Sequence, residues 1–351
     1  MPSSGVKVER KSAQKVHLFL LENALLEKSL KPIKNDEIIF PVREISQKQL
    51  VLLKKISKSI SIVSMNFETR ELLPKNMKDA LSGKLSNEEL SLVQSSYDSL
   101  GDVAIVEIPE ELKGKEKVIG NALMDSRNAI KSVYMKTGAH TGVFRREPVK
   151  YIAGEKRKYA FYKEHGCTFR ISLGKVFFSP RLSTERARIA SKIKKGEFVA
   201  ALFAGVGPFP IVFAKKSKME KAIAIELNPV AVADMKENIK LNKVEAKVEP
   251  VLGDVKKLVK KYKEKFDRAV MPLPKSSEDF LEDAILYIKP SGGTVHFYQF
   301  TSRENPYVVP LLQIKKACEN LKRKFRVVSK RKVREYAPDI IQVVIDFRVW
   351  S

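Results

Sequence analysis

Residues 198–209 read Phe198-Val-Ala-Ala-Leu-Phe203-Ala204-Gly205-Val206-Gly207-Pro208-Phe209. A short apolar run that breaks at Gly-x-Gly and resumes as an apolar helix start predicts a buried strand turning into a helix. The two glycines let backbone approach a ligand closely, and the first N–H groups of the following helix lack intrahelical partners. A dinucleotide fingerprint needs Gly or Ala three places after the second glycine. That position is Pro210, which speaks against a dehydrogenase.

The same rhythm continues outward. Strands are expected at Phe198–Phe203, Lys221–Glu226, Ala246–Leu252, Arg268–Met271 and Gly293–Gln299. Helices are expected at Val206–Lys215, Pro229–Asn238, Val255–Tyr262, Ser277–Ile288 and Tyr307–Leu321, before strands near Phe325–Val328 and Ile341–Val349. Such alternation predicts an α/β fold, a doubly wound, mostly parallel sheet of about seven strands with an antiparallel finish. Ligands of these sheets bind beyond the carboxyl ends of the strands. Glu226 ends the second strand, 19 residues past Gly207, where an acid can take both ribose hydroxyls. Asn228 before Pro229 is a candidate helix cap. Asp254, after Gly253 at the third strand's end, can accept from an adenine amino group. Singly these are a turn, a cap and a surface acid; at successive strand ends they point to an adenosyl ligand.

Upstream, three domains are expected: a small module over 1–64, an α+β domain over 65–178 and the α/β domain over 179–351. The module carries helical spacing at Ala13–Glu27 and Gln47–Ser59 and a strand at Ile38–Pro41. In the middle region Glu71–Pro74 opens a helical stretch, and a polar segment runs to Ser99. Gly101–Pro109 reads as a buried strand, Lys115–Met124 as a helix, and Ala129–Met135, Val143–Tyr151 and Cys167–Leu173 as strands. Ser183 or Thr184 is a candidate cap for a helix whose first turn holds Glu185 and Arg186. By position alone that acid is structural, and the basic stretch Gly142-Val-Phe-Arg145-Arg146 is a solvated or phosphate-binding face.

Sixty-six Lys and Arg against 41 Asp and Glu leave a net charge of +25. That excess suits a polyanion, above all nucleic acid, through counterion release; the alternative is a lysine-rich solubilising surface. Hydrophobic residues at 44% exclude wholesale disorder. No apolar run reaches the roughly 20 residues of a membrane helix, and the first residues carry charge where a signal peptide has its apolar core. Two cysteines, Cys167 and Cys318, make neither a disulfide framework nor a thiolate metal cage. His17, His140, His165 and His296 lack ligand spacing. The expectation is a cytoplasmic protein with no metal and no membrane contact, for which a monomer suffices.

Gly205-x-Gly207 with Glu226 and Asp254 resembles the class I (Rossmann-like) S-adenosylmethionine-dependent methyltransferases. A longer series narrows this: Leu72-Leu73-Pro74, Ser96-Tyr97-Asp98, Gly101–Pro109, Gly142-Val-Phe-Arg145, Ala153-Gly154-Glu155, Phe203–Phe209, Glu226-Leu227-Asn228-Pro229, Glu237-Asn238-Ile239-Lys240-Leu241-Asn242 and Pro274-Lys275. In this order they resemble the archaeal and eukaryotic tRNA guanine-37 N1-methyltransferases, including their wyosine-pathway relatives. The resemblance covers residues 65–351, and the first module weakly.

The resemblance implies roles. Glu185 matches the general base for the guanine N1 proton. Arg145 matches the arginine that stabilises charge on O6. Arg186, Phe203, Ala204, Gly205, Val206, Gly207, Glu226, Leu227, Asn228, Asp254 and Val255 match the S-adenosylmethionine cradle. Pro272 and Pro274 face the substrate base. The module is expected at the tRNA elbow, the other domains on the anticodon stem-loop, and Lys322–Arg334, with eight basic residues and no acid, along its backbone. The family pattern Asn-x-Pro-Lys departs here, with Pro272 for the Asn. The same change marks an archaeal subgroup that also methylates C7 of 4-demethylwyosine, giving isowyosine. Two alternatives are an aminocarboxypropyl transferase of the same pathway and a non-catalytic tRNA-binding protein.

Overall fold

A computed structural model describes residues 2–69, 74, 76–138, 144 and 147–351. Arg145, Arg146, Gly142, Val143, His140, Glu71, Leu72 and Leu73 of the sequence reading lie outside them. The chain divides into two compact units, Met1–Lys75 and Asn76–Ser351.

The first unit is a four-stranded antiparallel sheet with two helices: β1 (Ser3–Glu9), α1 (Arg10–Glu22), β2 (Ile33–Lys34), β3 (Glu37–Pro41), α2 (Gln47–Ile56) and β4 (Ser61–Met65). The strand order is β2-β3-β1-β4. Val6, Val8, Val16, Leu20 and Leu53 form its core. The opening residues are thus a central strand, which the serines before Val6 and the single lysine between the valines conceal. Helix α1 stops at Glu22, short of the expected Glu27. Asn23 turns its amide back to the Phe19 carbonyl, and Ala24 takes a left-handed φ of 54°, a conformation that does not propagate a right-handed helix.

The second unit opens with α3 (Met77–Leu81), α4 (Asn87–Leu92), β5 (Tyr97–Leu100), β6 (Val103–Val106), α5 (Glu116–Ser126), β7 (Ser132–Lys136) and β8 (Val149–Gly154). The four strands form one sheet in chain order. Helix α4 sits in the segment read as merely polar. A capping box nucleates it, with Ser86 and Glu89 each bonding the other's backbone N–H.

A hairpin, β9 (Tyr159–Glu164) and β10 (Cys167–Ser172), leads into α6 (Ser183–Lys192). The seven-stranded sheet follows: β11 (Phe198–Leu202), α7 (Pro208–Lys216), β12 (Lys221–Glu226), α8 (Pro229–Leu241), β13 (Val248–Leu252), α9 (Val255–Tyr262), β14 (Arg268–Met271), α10 (Leu281–Tyr287), β15 (Gly293–Ser302), α11 (Val308–Asn320), β16 (Lys324–Ala337) and β17 (Ile340–Trp350). Its order is β13-β12-β11-β14-β15-β17-β16, parallel as far as β15, with β17 antiparallel to β15 and β16 antiparallel to β17. The expected doubly wound sheet is present, with its order reversing at β11. Strand β16 runs 14 residues where the sequence suggested four near Phe325. Its alternation of cations with valines hides a long edge strand.

Helix α8 anchors the hairpin. Asp234, Asn238 and Asn242 recur every four residues along one face. Asn242 exchanges two hydrogen bonds with the Thr168 backbone, at 2.9 and 2.7 Å, and Asn238 does the same for Arg170, at 2.7 and 3.0 Å. Asp234 accepts from the Ser172 N–H at 2.8 Å. Three buried side chains thereby act as a strand partner for β10, fixing the chain that runs through residues 173–182 to α6.

Candidate active site

The cradle forms where β11 ends. Phe203 has φ 54°, rare for a residue with a Cβ. Gly207 has φ 87° and precedes α7, with Pro208 at the first helical position. A Cβ on Gly207 would lie 2.9 Å from Met235 Cγ and 3.0 Å from Ile211 Cδ1, so packing as well as φ demands glycine. Val206 is fully buried and its carbonyl accepts from Asn238. Ala204 is buried too, so the face left to a ligand is backbone.

Glu226 links this loop to the next strand end. One carboxylate oxygen accepts from Gly205 N–H and the other from Asn228 N–H, both at 2.8 Å. Burial pushes its carboxyl above the usual range, and these backbone donors oppose that shift. Each oxygen keeps a further lone pair, which suits vicinal hydroxyls. Asn228 caps α8 through Val230 N–H, as the sequence suggested, and its amide donates to the Lys175 carbonyl. Its side chain is thus committed to the fold. Leu227 is exposed and Val255 buried. Asp254 caps α9 through Oδ1, which accepts from Lys256 N–H, and Oδ2 accepts no hydrogen bond among the described residues. A carboxylate at the second strand end and a loop that no side chain fills fit an adenosyl group. Among the described residues no three His, Cys, Asp or Glu could hold a metal ion.

Glu185 and Arg186 lie in the first turn of α6, but neither Ser183 nor Thr184 caps it. Ser183 is already helical, and its hydroxyl contacts His165 Nε2 at 2.9 Å. Arg186 is buried in an ion pair with Glu164, at 2.5 and 2.7 Å, and its guanidinium lies near the rings of Phe178 and Phe209. Glu185 is 2% exposed. Its Oε2 accepts from the Tyr298 hydroxyl at 2.7 Å and from Arg188 Nε at 2.9 Å. Its Oε1 is buried without a hydrogen-bond partner; Arg331 Nη1 lies 3.3 Å away in ion-pair range but outside hydrogen-bond geometry. A bare, buried carboxylate oxygen is costly and uncommon. Phe209, in the first turn of α7, meets the Tyr298 ring at 6.3 Å, which ties the acid to the cradle.

Behind Glu185 runs a polar network that the sequence reading missed. Asp346 accepts from Arg188, Lys192, Ser329 and His296, with His296 Nδ1 at 2.6 Å. Arg268 donates to His296 Nε2 at 2.7 Å. Arginine has no acceptor, so the imidazole is neutral with its proton on Nδ1. Burial depresses the His296 pKa accordingly. Burial alone would raise the Asp346 carboxyl, but hydrogen bonds from His296, Arg188 and Lys192 hold it far below the usual range. One signal was available: Arg188 stands three residues from Glu185, on the same helical face. Another was Asp346, a lone acid in the apolar run of β17.

Residues 173–182 separate the cradle from a cleft of about 410 Å³. The Phe177 carbonyl lies 3.7 Å from where a Gly205 Cβ would sit. Phe178, Arg181, Lys136, Arg334 and Tyr336 line the cleft, together with Asp98, Glu107 and Glu147. Burial would lower the Lys136 ammonium, but Glu147, Glu107 and Asp98 outweigh it and raise its pKa. Neither Glu185 nor Glu226 lines this space. Pro272 and Pro274 follow β14, half-buried. Leu273 N–H bonds the Met271 carbonyl and Phe300 N–H bonds the Pro274 carbonyl, so the proline loop is pinned to β15.

Comparison with known proteins agrees with this architecture. Residues 160–328 match the TRM5/TYW2 methyltransferase domain and residues 77–157 the TYW2 N-terminal domain. The chain is 36% identical to the tRNA (guanine(37)-N(1))-methyltransferase Trm5b of Pyrococcus abyssi, over 98% of both chains. It is 30% identical to the tRNA (guanine(37)-N(1))/4-demethylwyosine(37)-methyltransferase Taw22 of Nanoarchaeum equitans, over 69% of this chain and 97% of that one. A solved complex of aTrm5 with tRNALeu superimposes with a TM-score of 0.81, at 31% identity over 98% of this chain and 99% of that one. Full-length identity and two adjoining domain matches carry one conclusion: this chain belongs to the TRM5/TYW2 methyltransferase family.

Proposed function

We propose that the protein methylates N1 of guanine-37 in tRNA, with S-adenosylmethionine as methyl donor. The observation that carries this is Glu185 Oε1, a buried carboxylate oxygen with no hydrogen-bond partner, beside an adenosyl-type cradle in a chain of this family. When bound, the cofactor supplies an electrophilic methyl group. Glu226 and Asp254 hold its adenosine through hydroxyl and amino groups, and the backbone of Phe203–Gly207 gives it room. Arg186 supports the cradle by fixing the first turn of α6 against α7. Glu185 takes the N1 proton on Oε1 as the N–C bond forms and the methyl–sulfur bond breaks, its electron pair staying on the donor's sulfur, while Tyr298 and Arg188 keep Oε2 in place. Arg145 stabilises the charge that develops on guanine O6.

Pro272 and Pro274 give the substrate base a stiff wall without side-chain hydrogen bonds. A wall of that kind takes a tricyclic base as well as guanine. With the named dual activity of the Nanoarchaeum relative, it supports a second activity at C7 of 4-demethylwyosine-37. The cationic β16 follows the anticodon-stem backbone, and the first unit holds the tRNA elbow. Removing residues 1–64 should therefore weaken tRNA binding more than it slows transfer.

Labelled S-adenosylmethionine, the purified chain and two tRNAs test this reading, one with guanine-37 and one with 4-demethylwyosine-37. Nucleoside mass spectrometry should find methyl groups on both bases. N1-methylguanosine alone would remove the second activity. An aminocarboxypropyl adduct would replace methyl transfer altogether.

A further inference from the structure

One feature of the cleft is not accounted for by the cradle or the base. Tyr336 lies near the end of edge strand β16 and is 55% exposed. Its ring packs in a tilted pair on Phe300 of β15, with centroids 4.0 Å apart and planes at 33°. The Arg334 guanidinium sits 5.7 Å from the same ring. Cations along an edge strand have a bland purpose, since they deter pairing with another chain. A large exposed aromatic does not serve that purpose.

The backbone is adapted to present it. The β16–β17 register slips between Lys332 and Arg334 and again between Glu335 and Ala337. Bulges of this kind re-aim side chains and collect beside active sites. The first slip immediately precedes Arg334, and the second leaves Tyr336 itself out of the register.

The electrostatics are incomplete as they stand. Arg334 and Arg181 line the same cleft. Burial first, and then repulsion from Arg181, lowers the Arg334 pKa. Arg181 pairs with Asp98 at 2.6 Å, but Asp98 also serves Lys136. Arg334 bonds only a neutral group among the described residues, the Gln342 amide oxygen at 2.8 Å. The Nε2 of that fully buried amide has no hydrogen-bond partner. An anion brought into the cleft would give Arg334 a charged partner and offset its repulsion with Arg181. A planar ring would cover Tyr336. The Phe300 N–H holds the Pro274 carbonyl, so the stack adjoins the loop assigned to the substrate base.

We propose that Tyr336 and Phe300, with Arg334 and Arg181, form a binding site for one unpaired nucleotide of the substrate RNA next to the target base. The tyrosine ring takes the nucleobase by stacking and the two guanidiniums take its phosphate. Stacking tolerates any base, so the site contributes affinity and register rather than sequence choice. The inference rests on the tRNA reading above, which supplies the polyanion.

The test uses the full-length chain, Tyr336→Ala and Tyr336→Trp. Each is titrated with G37 tRNA carrying 2-aminopurine at position 36 or, separately, 38, and each is then assayed for methyl transfer. Wild type and Tyr336→Trp should quench the probe at one of the two positions. Tyr336→Ala should not, and its Kd and KM for tRNA should rise about 5-fold or more, the low end for one stacked base. Its single-turnover rate at saturating tRNA should stay within about twofold of wild type. Tyr336→Ala that binds and quenches like wild type would overturn the platform while leaving the methyltransferase reading intact. Wild-type binding and quenching without methyl transfer would overturn that reading and leave the platform standing. A wild-type chain that binds no RNA would overturn both.

Discussion

Two acids mark the two halves of the site, and the chain treats their oxygens differently. Glu226 gives each oxygen one backbone N–H, from Gly205 and from Asn228. Both donors lie within 21 residues of it, so a strand, a loop and a helix start build that half locally. Glu185 has one oxygen supplied by side chains from α6 and β15, and one oxygen bare. Its support comes from Arg188, held in turn by Asp346 on the last strand. The first arrangement suits holding a ligand whose shape is fixed. The second suits a group that must accept a proton, because no hydrogen-bond donor competes for the lone pairs of its bare oxygen.

Variants can break each half separately. Glu185→Gln should cut methyl transfer by about 10²–10⁴-fold, the usual worth of a positioned base, with cofactor affinity within twofold of wild type; calorimetry and single-turnover assays read the two. Glu226→Ala should raise the cofactor Kd by about 100-fold, since it removes charged acceptors and leaves two N–H groups unpaired. Gly207→Ala should cost about 1–2 kcal/mol through its left-handed φ, with the added crowding against Met235, and cofactor affinity should fall about 10-fold. If Glu226→Ala slowed transfer at saturating cofactor as severely as Glu185→Gln does, the two halves would not be separable.

The smallest effect concerns pH and sharpens the picture of the supporting network. Burial lowers the His296 pKa in the folded chain. The unfolded chain therefore binds a proton near pH 6.5 that the folded chain refuses. The contribution is complete above that pH, and stability declines as pH falls from about 6.5 toward the folded value, by at most about 1.4 kcal/mol per unit. Asp346, depressed in the fold, keeps its contribution above about pH 4 and loses it only as pH falls through the folded value. Thermal midpoints should fall for wild type as pH is lowered from 7.5 to 5, and this fall should be smaller for His296→Gln.

This contrast also explains what the sequence could reveal. Gly205, Gly207, Glu226 and Asp254 are legible because each stands at a strand end whose apolar run can be read, and a doubly wound, mostly parallel sheet follows from alternation. The Asn228 cap is legible for the same local reason. Phe203 gives no warning of its left-handed φ, because a residue with a Cβ rarely adopts that conformation. Tyr298, His296 and Asp346 lie in buried strands, where a polar residue looks like an interruption until its partner 50 or more residues away is known. The Asp234, Asn238 and Asn242 series is periodic in sequence, yet its purpose as a partner for β10 appears only in three dimensions. Strand β16 was foreshortened because its cations obscure the alternation.

The most direct test of the account is single-turnover methylation of G37 tRNA across pH, by wild type and by Glu185→Gln, at saturating cofactor and tRNA. With the base removed, the variant should be slow near neutrality and accelerate steadily as pH rises toward the pKa of guanine N1, where the substrate loses its proton unaided. Wild type should be fast at neutral pH and far less steep, so the two profiles should converge at high pH. Parallel profiles with similar rates would show that Glu185 does not take the N1 proton, and would contradict the account at its centre.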